Sequence, residues 1–294
     1  MDKRIFLDNW VFSHLTDASF SSRLSAFITK RNYTILLTST LLSELYSPKW
    51  QETGNRDRGL KAVSFISNHP SIIVDPKKVF DSEYVHFPKN LNIIPVELDL
   101  KSIKDDLRFE TLLGFLRRDS LFLKQGKDIE KWSDDLKKIK STWLEDVKRN
   151  IDEALQNGIL EQNEKGEFIV GSIQKERALT SLDLRLPDNP DITSFLNKAS
   201  MRKSKTGKLP RLLGTRIISL CHWYTFIEID KTNQLKQQGS DIVDHYHLGL
   251  IPYCSAFTID TNMSRLLEYI AKDIDISRCD LYTPRTLDEA IARY

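Results

Sequence analysis

Residues 239–263 read GSDIVDHYHLGLIPYCSAFTIDTNM, and this stretch decides the fold. A helix opens at Ser240 and carries Asp241 and Asp244 one turn apart, hence on one face. A turn containing Pro252 follows, then the apolar run 256–259, which stops on Asp260. A strand that ends on a carboxylate, preceded by a helix carrying two more, gathers acids at the carboxyl edge of a sheet in an α/β protein. That edge is where open parallel sheets bind ligands.

Two other places repeat the arrangement. Residues 4–8 form a short apolar strand that ends on Asp8, with Asn9 beside it and helix-like sequence after it. Residues 34–37 form a second strand, Thr38 or Ser39 caps a helix, and Glu44 projects from its first turns beside the apolar face of Leu41, Leu42, Leu45 and Tyr46. Asp8, Glu44, Asp241, Asp244 and Asp260 therefore all stand at or near strand ends, a candidate metal site.

A first strand ending in Asp, a second leading to a helix with Glu, and a late helix-Asp, strand-Asp pair resemble the PIN-domain family of metal-dependent ribonucleases. The segment DIVDHYHLGLIPYCSAFTIDTNM is similar to the larger bacterial members, in which a helix with Asp and His precedes a Pro-Tyr turn and a strand reading Thr-x-Asp. The resemblance covers about residues 1–75 and 236–294. It implies an α/β fold, a PIN-like parallel sheet flanked by helices, with residues 1–76 and 236–294 as the nuclease core and 77–235 as a mainly helical insertion. It further implies that Asp8, Glu44, Asp241, Asp244 and Asp260 are the catalytic and metal-ligating residues, holding Mg²⁺ or Mn²⁺. The expected activity is endoribonucleolytic cleavage of RNA, single-stranded or in structured loops, in a bacterial defence or toxin-type role. Ser255 and Thr261 depart from the pattern, since larger relatives often carry Asp at the first place and a basic residue at the second.

The chemistry of the acids agrees with these expectations. Oxygen ligands select hard divalent cations. Carboxylates converging without a cation repel one another, which raises their pKa values and destabilises the fold. With one or two ions, water becomes a nucleophile near neutral pH and the charge growing on a phosphate is steadied. Asn9 and His247 are candidate substrate contacts. His247, three residues after Asp244, could hold that carboxylate, reach phosphate, or make a structural hydrogen bond, and the i, i+2 spacing of His245 and His247 points the two rings apart.

At 294 residues with 40% apolar content, the chain is long enough for one large or two modest domains with a substantial core. The formal net charge of +2 does not by itself call for nucleic acid, so the distribution of charge matters more. The segment 198–216, KASMRKSKTGKLPRLLGTR, has seven basic residues and no acid; Arg202, Lys203, Lys205 and Lys208 lie in its middle, suited to a phosphodiester backbone or to a solvated surface loop. Cys221, Cys254 and Cys279 show no CxxC spacing and read as small buried hydrophobes in a reducing cytoplasm. No run reaches about 18 apolar residues, so no membrane span is expected, nor is there a signal-peptide core.

Between these landmarks the pattern is largely helical. Leu24, Phe27 and Ile28 mark a helix ending at Asn32; residues 50–59 read as a loop before a helix through Leu60, Val63 and Ile66; residues 71–74 are a strand. Apolar residues recur every three or four positions from Ile129 to Leu155, a long amphipathic helix ended by Asn157-Gly158. Residues 168–170 form a short strand, 192–199 a helix, and the run 217–229 a buried helix that returns the chain to the core. A helix around Leu266, a last strand at 279–282 and a helix at 287–292 complete the chain.

Two rival functions remain at this stage. One is a catalytically weak PIN-like module that binds RNA or a protein partner, or a second copy of itself, through the helical insertion. The other, a haloacid-dehalogenase-like phosphatase, needs a second Asp two residues after the first, where Trp10 stands.

Overall fold

The computed structural model describes residues 3–45, 56–74, 213–225 and 241–294, with Val79, 161–164, 168–169 and positions 138, 141, 142, 145, 148, 149, 151–153 and 155–158. Its centre is a five-stranded sheet built from both ends of the chain. Strands β1 (Lys3–Phe6), β2 (Tyr33–Thr38), β3 (Ser71–Val74), β6 (Ala256–Thr258) and β7 (Asp280–Tyr282) lie in the order β3-β2-β1-β6-β7, and every pairing is parallel. Two residues of β4 (Glu161–Gln162) and two of β5 (Phe168–Ile169) make a separate antiparallel pair.

Helices α1 (Asn9–His14), α2 (Ala18–Arg31), α3 (Ser39–Leu45), α4 (Arg56–Ser67), α5 (Leu213–Trp223), α6 (Asp241–Leu248), α7 (Thr261–Ile270) and α8 (Pro284–Ile291) surround the sheet. Their ends follow from local chemistry. Asp17 caps α2 by accepting the Ser19 and Phe20 N–H groups, and Asn32 closes it in a left-handed conformation (φ 56°) that Asn tolerates better than branched residues do. Thr283 and Thr286 exchange hydrogen bonds in a capping box at the start of α8, with Pro284 in its first turn. Gly158 takes φ 64° where the helix reaching Leu155 and Gln156 stops, as the Asn157-Gly158 pair suggests.

Burial follows the period of two. Ile5, Leu7, Ile35 and Leu37 pack on one face with Val11, Phe12, Leu24, Phe27, Ile28, Leu41, Leu287 and Ile291. Phe6, Leu36 and Phe257 pack on the other with Ile217, Leu220, Trp223, Leu250 and Leu266. A parallel sheet is covered on both faces, which is why its strands are continuous apolar runs. Phe257 stacks on Phe6 with ring centroids 4.5 Å apart and is 2% exposed. Truncation by Phe257→Ala is expected to cost about 3–5 kcal/mol in urea unfolding; a loss below about 1 kcal/mol would contradict this packing.

The two-ended α/β architecture expected from the sequence is present in this form. The helix predicted in the run 217–229 begins earlier, at Leu213, and packs against α6 and α7. Its residues Ile217, Leu220 and Trp223 share a core cluster with Phe6 and Phe257. Ile151 and Leu155 pack against the same cluster. Positions 138, 141, 142, 145, 148, 149, 151–153 and 155 of the long amphipathic helix are helical; its other positions, the helix at 192–199 and most of the expected insertion 77–235 lie outside the described residues. One expectation changes: residues 56–59, read as loop, are the first turn of α4. Gly59 costs a helix roughly 1 kcal/mol relative to Ala, and α4 offsets this by packing against α1, where Lys61 Nζ also donates to the Thr16 carbonyl at 3.1 Å.

Candidate functional site

The strand order reverses between β1 and β6, since the chain moves outward to β2 and β3 on one side and to β7 on the other. Such a switch point opens a crevice at the carboxyl ends of the two central strands. Asp8 and Asp260 flank it, each two residues past its strand. Both have extended backbones (φ −71°, ψ 160° and φ −72°, ψ 170°) and both cap the helix that follows. Asp8 Oδ1 accepts the Asn9 N–H at 2.7 Å, and Asp260 Oδ1 accepts the Met263 N–H at 2.8 Å. A carboxylate has two oxygens, so capping with Oδ1 leaves Oδ2 for other partners.

Thr258 ties the pair together. Its buried hydroxyl accepts the Asp8 N–H at 2.7 Å and donates to the Phe6 carbonyl at 3.2 Å, bridging the end of β6 to the end of β1. Nothing in the reading of the acids singled Thr258 out, although a hydroxyl inside a buried run must find partners and the Thr-x-Asp pattern places it two residues from Asp260. Replacing Thr258 by Val keeps the shape and leaves the Asp8 N–H without its acceptor. The expected loss is about 1–3 kcal/mol in denaturant unfolding, with Thr258→Ser retaining most of the stability; equal stability of the Val and Ser variants would contradict the bridge.

Electrostatics show which acids are neighbours. Burial pushes the Asp8 carboxyl up from 3.8 to about 7; the Asn9 N–H opposes this, and the charges of Asp260 and Glu44 add to it. Glu44 is half-buried on α3, as are Asp8 and Asp260 at their strand ends. Residues 8, 44 and 260 thus share one electrostatic neighbourhood. Asp244, half-buried on α6, faces α5: burial raises the Cys221 thiol well above its ordinary value, and the Asp244 charge contributes. Asp241 opens α6, but its side chain lies outside the described residues.

Among the described residues, no group of three or more His, Cys, Asp or Glu side chains stands close enough to hold a metal ion. Two of the three neighbouring acids direct an oxygen to their own helix caps rather than to one another. The donor set itself is all oxygen, which suits a hard divalent cation and not a thiolate-seeking one.

Of the residues read as substrate contacts, Asn9 begins α1, and its amide Oδ1 is buried without a hydrogen-bond partner among the described residues. His247 is 3% exposed and makes the structural hydrogen bond rather than a surface contact: its Nε2 lies 2.7 Å from Thr40 Oγ1 and 3.0 Å from Thr38 Oγ1. His245 is fully buried, with Nε2 3.5 Å from Thr225 Oγ1. Arg202, Lys203, Lys205 and Lys208 lie outside the described residues. No described helix is long and apolar enough to cross a membrane. The chain matches no family model, no curated protein and no solved structure.

Proposed function

We propose that the chain is a metal-dependent endoribonuclease with a PIN-like core in residues 1–76 and 236–294 and a mainly helical insertion at 77–235. The observation that carries this reading is the pairing of Asp8 and Asp260 at the switch point of a parallel sheet, with Glu44 close enough to act on the Asp8 carboxyl. Asp8, Asp260 and Glu44 would hold Mg²⁺ or Mn²⁺, with Asp244 and Asp241 as the further candidates from α6. A bound cation supplies positive charge that favours ionised water as nucleophile and steadies the charge growing on a phosphodiester.

The chain's own residues supply the rest. Burial and the charges of Asp260 and Glu44 hold the Asp8 carboxyl up at about 7 in the metal-free chain, and a bound cation would favour its ionised, ligating form. Its backbone is fixed by Thr258 and its Oδ1 by Asn9, so Oδ2 is presented from a rigid strand end. Arg202, Lys203, Lys205 and Lys208 would attract the RNA backbone, and the local excess of positive charge in 198–216 supports this assignment.

A second reading, an RNA- or protein-binding module of weak activity, is favoured by the lack of a closed three-residue ligand group among the described residues. Incubation of the full chain with single-stranded RNA and Mn²⁺, beside Asp8→Asn and Asp260→Asn, separates the two. Cleavage by wild type that both variants lose supports the nuclease; identical behaviour of all three removes it.

A further inference from the structure

We infer that His69 is an acid-sensitive catch on strand β3: protonating its buried ring loosens the turn that carries the chain from α4 into that strand. His69 stands just after α4 and two residues before β3, which is an edge of the five-stranded sheet. Its backbone N–H donates to the Ile66 carbonyl at 3.2 Å and so holds the turn against the helix. Pro70 comes next and steers His69 away from helical backbone. The Pro70 carbonyl accepts the Ile35 N–H at 2.8 Å, tying the incoming chain to β2. The imidazole lies on Phe65, ring centroids 4.7 Å apart, and the residue is 9% exposed. Its Nε2 is buried without a hydrogen-bond partner among the described residues.

Imidazole chemistry gives this arrangement its consequence. A neutral ring can leave one nitrogen bare, whereas an imidazolium carries hydrogen on both. Once protonated, Nε2 would be a buried donor without an acceptor, on a ring that is itself charged, and both features are costly away from water. No described neighbour offsets that charge. Strand β3 (SIIV) has no ionisable residue, and β2 (YTILLT) has only Tyr33, which burial pushes up to about 12 and so keeps neutral. Arg56, Asp57, Arg58 and Lys61 stand in the first half of α4, away from His69. Burial is accordingly the single cause that holds the imidazole below its ordinary 6.5. With the folded value depressed, the stability from the neutral ring is present above about pH 6.5 and is lost as pH falls through the folded value. Opening the turn returns the ring to water, so acid favours the open form at an edge strand, which has a neighbour on one side only.

Asp8 acts in the opposite direction over part of the same range, so the test compares chains that differ at residue 69 alone. Backbone hydrogen exchange is read by mass spectrometry on peptides covering residues 71–74, at about pH 7.5 and about pH 5, after correction for the intrinsic pH dependence of exchange. The full chain is used as wild type, His69→Phe and His69→Gln. One pKa unit is tenfold in an equilibrium, so half a unit is about threefold. On going to the lower pH, protection of 71–74 should fall at least about threefold more in wild type than in either variant. Protection of 256–258, inside the sheet, should change alike in all three. Equal falls at 71–74 in wild type and variants would overturn the inference, as would an equal difference at 256–258, which belongs to global unfolding and not to a local catch. His69→Phe keeps an aromatic ring on Phe65; should it fail to fold, His69→Gln carries the comparison. The His69 ring titration in wild type, followed by NMR, decides independently: a midpoint below 6.5 is expected, and one at or above it would overturn the inference.

Discussion

Asp8→Asn is expected to slow Mn²⁺-dependent cleavage of single-stranded RNA by at least roughly 10²-fold, a size typical of losing one preorganised group at a reacting centre. The substitution keeps the shape and the cap: an amide oxygen can still accept the Asn9 N–H that Asp8 Oδ1 accepts at 2.7 Å. What it removes is a negative charge and a titrating oxygen at the switch point. Asp260→Asn should act similarly, because its cap to Met263 also survives in the amide. Gel-resolved cleavage rates with and without a chelator give the measurement. The variants should remain folded, so a loss of rate reports on chemistry and not on collapse. Wild-type rates in either variant would sink the assignment of these two acids.

The second large effect is on stability as pH changes, in chelator and without RNA. The folded pKa of Asp8 is raised from 3.8 to about 7, so between those values the native state holds a proton that the unfolded chain releases. Stability from this group is therefore fully present below about pH 4, declines as pH rises through the window and is lost above about pH 7. At about 1.4 kcal/mol per pKa unit the whole change is on the order of a few kcal/mol. Asp8→Asn cannot titrate. Compared by urea unfolding, the variant should match wild type near pH 4 and exceed it by a few kcal/mol at pH 8. Adding Mn²⁺ at pH 8 should narrow the gap, since a ligand at 100 times its Kd stabilises wild type by about 2.7 kcal/mol. A variant less stable than wild type at pH 8 in chelator would show that the Asp8 carboxyl is not strained by burial and its acidic neighbours.

How much of this was legible in the chain depends on the range of the interaction. Strands β1, β2, β3 and β6 announce themselves as three to six apolar residues stopped by Asp, Thr or Pro, because a two-face-buried strand cannot hold a charge until it leaves the sheet. Asp8 and Asp260 were visible for that reason, as chain breaks in hydrophobicity. Their adjacency was not. It depends on β6 pairing with β1 across 250 intervening positions, a choice made by packing and sealed by the Thr258 hydroxyl on the Asp8 N–H. Glu44 stood beside the apolar face of the helix after β2, a position that did not by itself name Asp8 as its neighbour; its charge adds to the rise of the Asp8 pKa. Helical phase served Asp244 no better: one turn from Asp241 in sequence, it acts on Cys221 of α5, whose place against α6 no local pattern declares. His247 offered three roles from spacing alone, and only the two hydroxyls at the end of β2 select among them.

The most direct measurement is the anomalous difference map of a crystal soaked in Mn²⁺. A peak at the switch point within about 2.0–2.2 Å of carboxylate oxygens from Asp8 and Asp260, with Glu44 or Asp244 completing the set, is the expected result. Clear density for both aspartates with manganese bound elsewhere, or nowhere, would contradict the proposal that the two ends of this chain meet to hold a cation.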